Sequence, residues 1–250
     1  MARGASERLI VALDVATAGR ALELFEQLRG LVSHFKVGSQ LFTAAGPQVV
    51  RELTERGAHV FLDLKFHDIP NTVASASLEA ARLGVWMLNV HALGGARMMR
   101  QTAESLRERA AREGFTPPKL IAVTVLTSAG DATLDEVGIQ SKPLAQVLRL
   151  ARLAEECGLD GVVASPHEVV AVREAARSAD FLIVTPGVRL KGGDTHDQRR
   201  VMTPAEAVSA GADYLVIGRA ILDAPDALSA ARAICEEMEQ TAEQSRPSRV

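Results

Sequence analysis

The chain has 250 residues, 47% of them apolar and 24% charged, with a formal net charge of −3. That balance gives no electrostatic footing for a nucleic-acid partner, which favours a basic face, and it excludes collagen-like, disordered and disulfide-built proteins. The two cysteines, Cys157 and Cys235, sit in helix-like stretches and read as buried or half-buried thiols. The first residues, Met1 to Arg8, run into a short apolar stretch that soon meets Asp14. This reads as neither a signal peptide nor a membrane span, so a cytoplasmic protein without a membrane partner is expected.

In chain order, eight short apolar runs read as strands: Leu9–Asp14, Phe35–Gly38, His59–Lys65, Trp86–His91, Leu120–Leu126, Gly161–Ser165, Phe181–Thr185 and Tyr214–Gly218. Their hydrophobicity is nearly continuous rather than strictly alternating, as in parallel strands covered on both faces. Between them lie helical stretches at Ala18–Arg29, Gln48–Arg56, Thr72–Leu83, Ala96–Arg112, Pro143–Cys157, Glu168–Ala176, Pro204–Ala210 and Pro225–Gln240. Some begin with a first-turn proline, and Gly57, Gly84, Gly158 and Gly211 stand where a helix closes ahead of the next strand.

Eight such alternations at this length favour an α/β protein built as one (β/α)8 TIM barrel over residues 1–240, with a frayed polar tail over 241–250. Alternation alone leaves a doubly wound open sheet as the alternative. Such a sheet usually shows Gly-x-Gly-x-x-Gly after its first strand, where this chain has Leu13-Asp14-Val15-Ala16-Thr17.

The densest chemical signal is Asp63-Leu64-Lys65-Phe66-His67-Asp68-Ile69-Pro70-Asn71-Thr72, at the end of the third strand. Residues two apart on a strand share a face, so Asp63 and Lys65 project together while Leu62, Leu64 and Phe66 project into apolar packing. Asp68 lies just past the strand, where it can turn across the barrel mouth. Asp14 ends the first strand and Lys36 lies in the second. Charges at apolar strand positions are costly unless paired, and alternating Lys36, Asp63, Lys65 and Asp68 would neutralise one another. Taken pair by pair, a structural ion-pair network accounts for them about as well as a functional site does.

The last two strands are followed by Thr185-Pro186-Gly187-Val188-Arg189 and Gly218-Arg219, where barrels often bind phosphate. Arg189 or Arg219 offers a planar fork to an anion, and Gly192-Gly193 makes the loop between pliable enough to close as a lid. Among lesser signals, His91 reads as a hydrogen-bonded rim histidine, His67 has no assignable direction, and Trp86 fills a packing gap.

Asp-x-Lys-x-x-Asp continued by Ile-Pro-x-Thr resembles the signature of the orotidine 5′-phosphate decarboxylases. The resemblance extends through Val11-Ala12-Leu13-Asp14, Phe35-Lys36-Val37-Gly38, Asn89-Val90-His91-Ala92, Val123-Thr124-Val125-Leu126-Thr127-Ser128, Thr185 to Arg189, Gly193-Asp194 with Asp197 to Arg200, and Val216-Ile217-Gly218-Arg219. It implies decarboxylation of orotidine 5′-monophosphate with no cofactor and no metal. It further implies that Lys65 is the catalytic ammonium and proton donor, that Asp63 lies against the substrate carboxylate, and that Lys36 and Asp68 complete the array. Asp14 and Lys36 would hold ribose hydroxyls, and Thr127 and Ser128 would lie near the pyrimidine. Arg189, Gln198, Gly218 and Arg219 would lie near the phosphate. Asp68 and Thr72 would reach into a neighbouring subunit's site, implying a homodimer with shared sites.

The nearest rival is a metal-dependent sugar-phosphate decarboxylase or aldolase of a related barrel family, which shares the motif but places a metal-binding carboxylate near the second strand. Here that strand offers Lys36, whose ammonium is no ligand for a hard cation. A noncatalytic phosphate-binding barrel is the rival of another class.

Overall fold

The computed structural model describes residues 4–188 and 202–244. The eight apolar runs form eight strands: β1 (Leu9–Ala12), β2 (His34–Gly38), β3 (His59–Phe66), β4 (Met87–His91), β5 (Lys119–Val123), β6 (Gly161–Val163), β7 (Leu182–Pro186) and β8 (Tyr214–Ile217). Each is parallel to the next, and β1 pairs with both β2 and β8, with Ile10 opposite His34 on one side and Val216 on the other. The sheet is therefore a closed barrel, and the open doubly wound alternative, which needs two edge strands, does not apply.

Near-continuous hydrophobicity has a direct cause here, because alternate residues of most strands enter different apolar environments. Ile10, Ala12, Phe61, Met87, Ile121 and Val184 fill the barrel interior as a cluster of their own. Their strand neighbours Leu9, Val11, Phe35, Leu62, Leu88 and Val90 pack outward against the helices. Each fully buried Leu, Ile or Phe contributes roughly 1.5–3 kcal/mol.

At the N-terminal ends of the strands, a group of rings floors the barrel. His34 opens β2, Tyr214 opens β8 and Trp86 precedes β4. The Trp86 ring centroid lies 4.4 Å from His34 and 5.1 Å from Tyr214, both edge-on, while His59 lies 4.9 Å from His34. Edge-to-face contact at these spacings is favourable for aromatic rings. Trp86 thus packs as its sequence context suggested.

The eight helical stretches are present, with ends shifted by a few residues. Thr17 starts the Ala18–Leu28 helix by accepting a hydrogen bond from Arg20 N. Thr203 and Glu206 form a reciprocal capping box, and Pro70, Pro143 and Pro204 occupy first turns. The last helix, Ala227–Gln244, continues past residue 240, where polar composition was expected to end it.

Short helices at Ala5–Arg8, Ser39–Ala45, Asp131–Glu136 and Arg219–Leu222 escaped the sequence reading. The last three follow β2, β5 and β8 and so shape the C-terminal rim, where barrels carry their chemistry. Among the described residues, no helix is long and apolar enough to cross a membrane.

Candidate active site

Four charges at the rim form one alternating chain. Lys36 Nζ donates to Asp14 Oδ1 at 2.9 Å and faces Asp63 Oδ2 at 3.4 Å. Lys65 Nζ donates to Asp63 Oδ1 at 2.6 Å. The sequence therefore runs Asp14, Lys36, Asp63, Lys65 across three neighbouring strands. Parallel register creates it, since Ala12 pairs with Lys36 and Gly38 with Asp63.

Burial grades along the chain. The Lys36 and Asp63 side chains are 9% and 13% exposed, whereas Asp14 and Lys65 at its ends are 50% and 39% exposed. Buried charges of this kind persist only when paired, and loss of one partner typically costs about 3–5 kcal/mol.

Two backbone features support the array. Lys65 has φ of +52°, the one non-glycine positive φ among the described residues. It lies where the β3–β4 register shifts between Leu62 and Phe66. A left-handed lysine costs roughly 1–2 kcal/mol, and such strain clusters at functional sites. Gly38, at the end of β2, leaves room for the ammonium: a Cβ there would stand 2.8 Å from Lys36 Nζ and 3.2 Å from Asp14 Oδ1.

Asp68 does not join the chain. It is exposed, and its Oδ1 accepts from the backbone N–H of Ile69 at 2.6 Å, closing the turn that launches the Pro70–Arg82 helix. Within one subunit the alternation therefore runs from Asp14 through Lys36 and Asp63 to Lys65. Thr72 is likewise exposed on the first turn of that helix.

His67 and His91 stack on one another, with centroids 5.4 Å apart. His91 Nδ1 accepts from Leu93 N at 3.3 Å, as expected for a hydrogen-bonded rim histidine. Burial, then the nearby His67 and Lys65 charges, pull its pKa below the ordinary 6.5.

The other half of the rim is concave and mixes polar, apolar and charged side chains, Asp131, Lys142 and Glu168 among them. A cavity of about 740 Å³ is lined by Thr127, Ser128, Gly130, Ser165, Pro186 and Gly187, among others, from the loops after β5, β6 and β7. Thr127 and Ser128, expected beside the pyrimidine, both face it. Gly187, with φ of +80°, brings backbone to its edge. Gly218 abuts β1: a Cβ added to it would lie 3.3 Å from Ala12 Cβ and 3.6 Å from Asp14 Oδ2. Arg219 then opens the Arg219–Leu222 helix. Arg189, Gln198 and the Gly192-Gly193 pair lie outside the described residues.

Among the described residues, no group of three or more His, Cys, Asp or Glu is placed to hold a metal ion. The sequence reading passed over one rim residue, Asn89. It is fully buried and bonds both to Asp63 and to the Lys65 backbone. A polar amide in an apolar strand was the available signal.

Comparison with known proteins points to one family. Orotidine 5′-phosphate decarboxylase of Syntrophotalea carbinolica is 55% identical over 234 residues, covering 94% of this chain and 96% of the relative. The enzyme of the same name from Moorella thermoacetica is 56% identical over 236 residues, covering 94% and 93%. The solved structure of orotidine 5′-phosphate decarboxylase from Lactobacillus acidophilus superposes with a TM-score of 0.81 at 38% identity, covering 93% of this chain and 99% of that one. The family described as "Orotidine 5'-phosphate decarboxylase / HUMPS" matches residues 7–234, and the chain belongs to that family.

Proposed function

We propose that this protein is an orotidine-5′-phosphate decarboxylase, a carboxy-lyase of pyrimidine biosynthesis that converts orotidine 5′-monophosphate to uridine 5′-monophosphate and CO2. The observation that carries this reading is the Asp14–Lys36–Asp63–Lys65 chain at the mouth, ending in the partly exposed Lys65 ammonium. The high identity to enzymes of that name supports it.

The reaction breaks the bond between C6 of the pyrimidine and its carboxylate carbon. CO2 leaves, the bonding electron pair stays on C6, and a proton must replace the lost group. No conventional sink takes that pair, so the site must stabilise it electrostatically. Lys65 is suited to both tasks: its ammonium sets positive charge beside C6 and then donates the proton there. The neutral amine regains a proton from solvent.

Asp63, held by Lys36 and Lys65 together, would face the substrate carboxylate. At ~4 Å and an effective dielectric of ~20, that repulsion is on the order of 4 kcal/mol. This is too little to account for a large acceleration, so the greater share falls to Lys65. Asp14 and Lys36 would hold ribose hydroxyls, and Thr127 and Ser128 the pyrimidine. Arg189, Gln198, Gly218 and Arg219 would hold the phosphate, whose binding energy aligns the distant reacting centre.

Lys36 also favours a reaction without metal or cofactor. Its ammonium stands between the two carboxylates that a divalent cation would otherwise bridge. The site is proposed to be completed by a second copy in a cytoplasmic homodimer with shared sites. Asp68 and Thr72 are exposed and apart from the charge chain of their own subunit, and the side chain between them, Ile69, is 67% exposed.

The direct test follows the ultraviolet absorbance of orotidine 5′-phosphate on adding the protein, with and without a chelator. The expected result is a fall in absorbance in both. No fall would overturn the function, and a fall abolished by chelator would favour the metal-dependent relatives. Sharing is tested by mixing Lys65→Ala and Asp68→Ala chains. Hybrid dimers should regain activity at one intact site, and no recovery despite subunit exchange would refute shared sites.

A further inference from the structure

We propose that Asn89 is a positioning residue that sets both ends of Lys65 at once, acting through Asp63 and the Lys65 backbone and touching no reacting atom. The inference rests on the role of Lys65 proposed above.

The ladder between β3 and β4 supplies the first observation. Leu62 pairs with Leu88, but the next pair is Phe66 with Val90, so β3 spends more residues than β4 over the same distance. Lys65 lies inside this irregular stretch with φ of +52°. Its amide N–H is taken by a side chain, Asn89 Oδ1, at 2.8 Å.

The second observation is the other end of the same amide. Asn89 Nδ2 donates to Asp63 Oδ1 at 2.7 Å, and that oxygen also accepts from Lys65 Nζ at 2.6 Å. Asp63 Oδ2 is left to face Lys36. One side chain on β4 therefore fixes the backbone from which Lys65 departs and the carboxylate against which its ammonium rests.

The chemistry selects an amide. A backbone N–H can only donate and a carboxylate can only accept, so the group between them must offer one acceptor and one donor. Turning the amide over would lose both bonds. An aspartate would set another carboxylate against Asp63, and a lysine would compete with Lys65 for it. Asn89 is fully buried, so its amide has no water to bond in place of these two partners, and a buried polar group left unmade is costly.

If this clamp is lost, Asp63 is free to turn and the ammonium follows it. Misplacing a catalytic group by about 1 Å can cost 10²-fold in rate. Lys36, proposed for the ribose, keeps its bond to Asp14, and Gly218 and Arg219, proposed for the phosphate, follow β8, so nucleotide binding should hold. The expected signature is a split, with kcat falling and KM little changed.

The test compares Asn89→Ala, Asn89→Ser and the isosteric Asn89→Asp with the unaltered enzyme and with Lys65→Ala. Readouts are kcat and KM for orotidine 5′-phosphate, uridine 5′-monophosphate binding by calorimetry, and Tm. The folded variants should lose roughly 10²-fold in kcat, equivalent to about 2.7 kcal/mol of barrel-mouth preorganisation, with KM and nucleotide binding within about threefold. Asn89→Asp should be no better than Asn89→Ala, although it preserves shape. Unchanged kcat in folded variants would overturn the inference, as would a loss confined to KM or Tm. Failure of all three to fold would also overturn it, in favour of a purely structural bridge. Turnover surviving in Lys65→Ala would instead sink the proposed function, whatever the Asn89 variants do.

Discussion

His34 and Lys36 stand two residues apart on β2, both buried and both facing the barrel interior, in surroundings of opposite chemistry. His34 meets the rings of Trp86, Tyr214 and His59. Lys36 meets the carboxylates of Asp14 and Asp63. At the floor, rings pack against one another and close the barrel. At the rim, the same inward direction collects charges that would be intolerable singly and are stable as an alternating chain. The lesson is a division of labour along a single strand: packing at its start and electrostatics at its end. Parallel strands carry every rim residue to the same side, where loops are free to vary.

Substitutions can break that division, the largest effect coming first. Lys65→Ala is expected to lower kcat by about 10⁴-fold or more, since it removes both the charge and the proton donor. Binding of uridine 5′-monophosphate should persist. Near-normal turnover would mean that the rim charges do no chemistry.

Gly38→Ala probes the rim without removing any charge. Its new methyl would stand 2.8 Å from Lys36 Nζ, and an ammonium fixed by two carboxylates has little room to retreat. A fall in kcat/KM of about 10- to 100-fold is expected, with Tm within a few degrees of the unaltered protein. Unaltered kinetics would show that the array tolerates slack.

Trp86→Ala probes the floor. Removal of a partly buried tryptophan should cost about 3 kcal/mol of stability, measured by denaturant unfolding, while kcat of the folded fraction stays put. A matching loss in kcat would show that floor and rim are coupled.

The smallest effect concerns pH. The pKa of His91 is held below its ordinary 6.5, chiefly by burial. As pH falls through 6.5, the unfolded chain therefore takes up a proton before the folded one does, and acidification favours unfolding. The associated stability is complete above 6.5 and declines below it. His91→Gln should flatten the fall of Tm between about pH 7 and 5, and an identical slope would assign the acid sensitivity elsewhere.

Much of this protein is legible in its sequence because the relevant signals are local. A strand covered on both faces must be apolar throughout, and eight such runs appear in order. The two-residue strand period puts Asp63 and Lys65 on one face, although the left-handed turn at Lys65 that completes their contact is not local, and Thr203-Pro204 marks a helix start by its own cap. The same locality explains the misses. Helices such as Asp131–Glu136 and Arg219–Leu222 are too short to display a period of 3.6 residues. Within one subunit the Asp68 carboxylate binds the next residue's backbone, and a contact made across subunits leaves no local mark beyond the motif itself.

Sequence alone determined which residues carry charge, which runs are buried and in what order strands and helices alternate. The tertiary structure decided who meets whom. Asp14 and Lys36 are 22 positions apart, and Asn89 and Asp63 are 26 apart. These pairs exist because parallel register brings strand ends level around a closed barrel. Register and closure depend on all eight strands at once, whereas a side chain's period depends only on its neighbours in the chain.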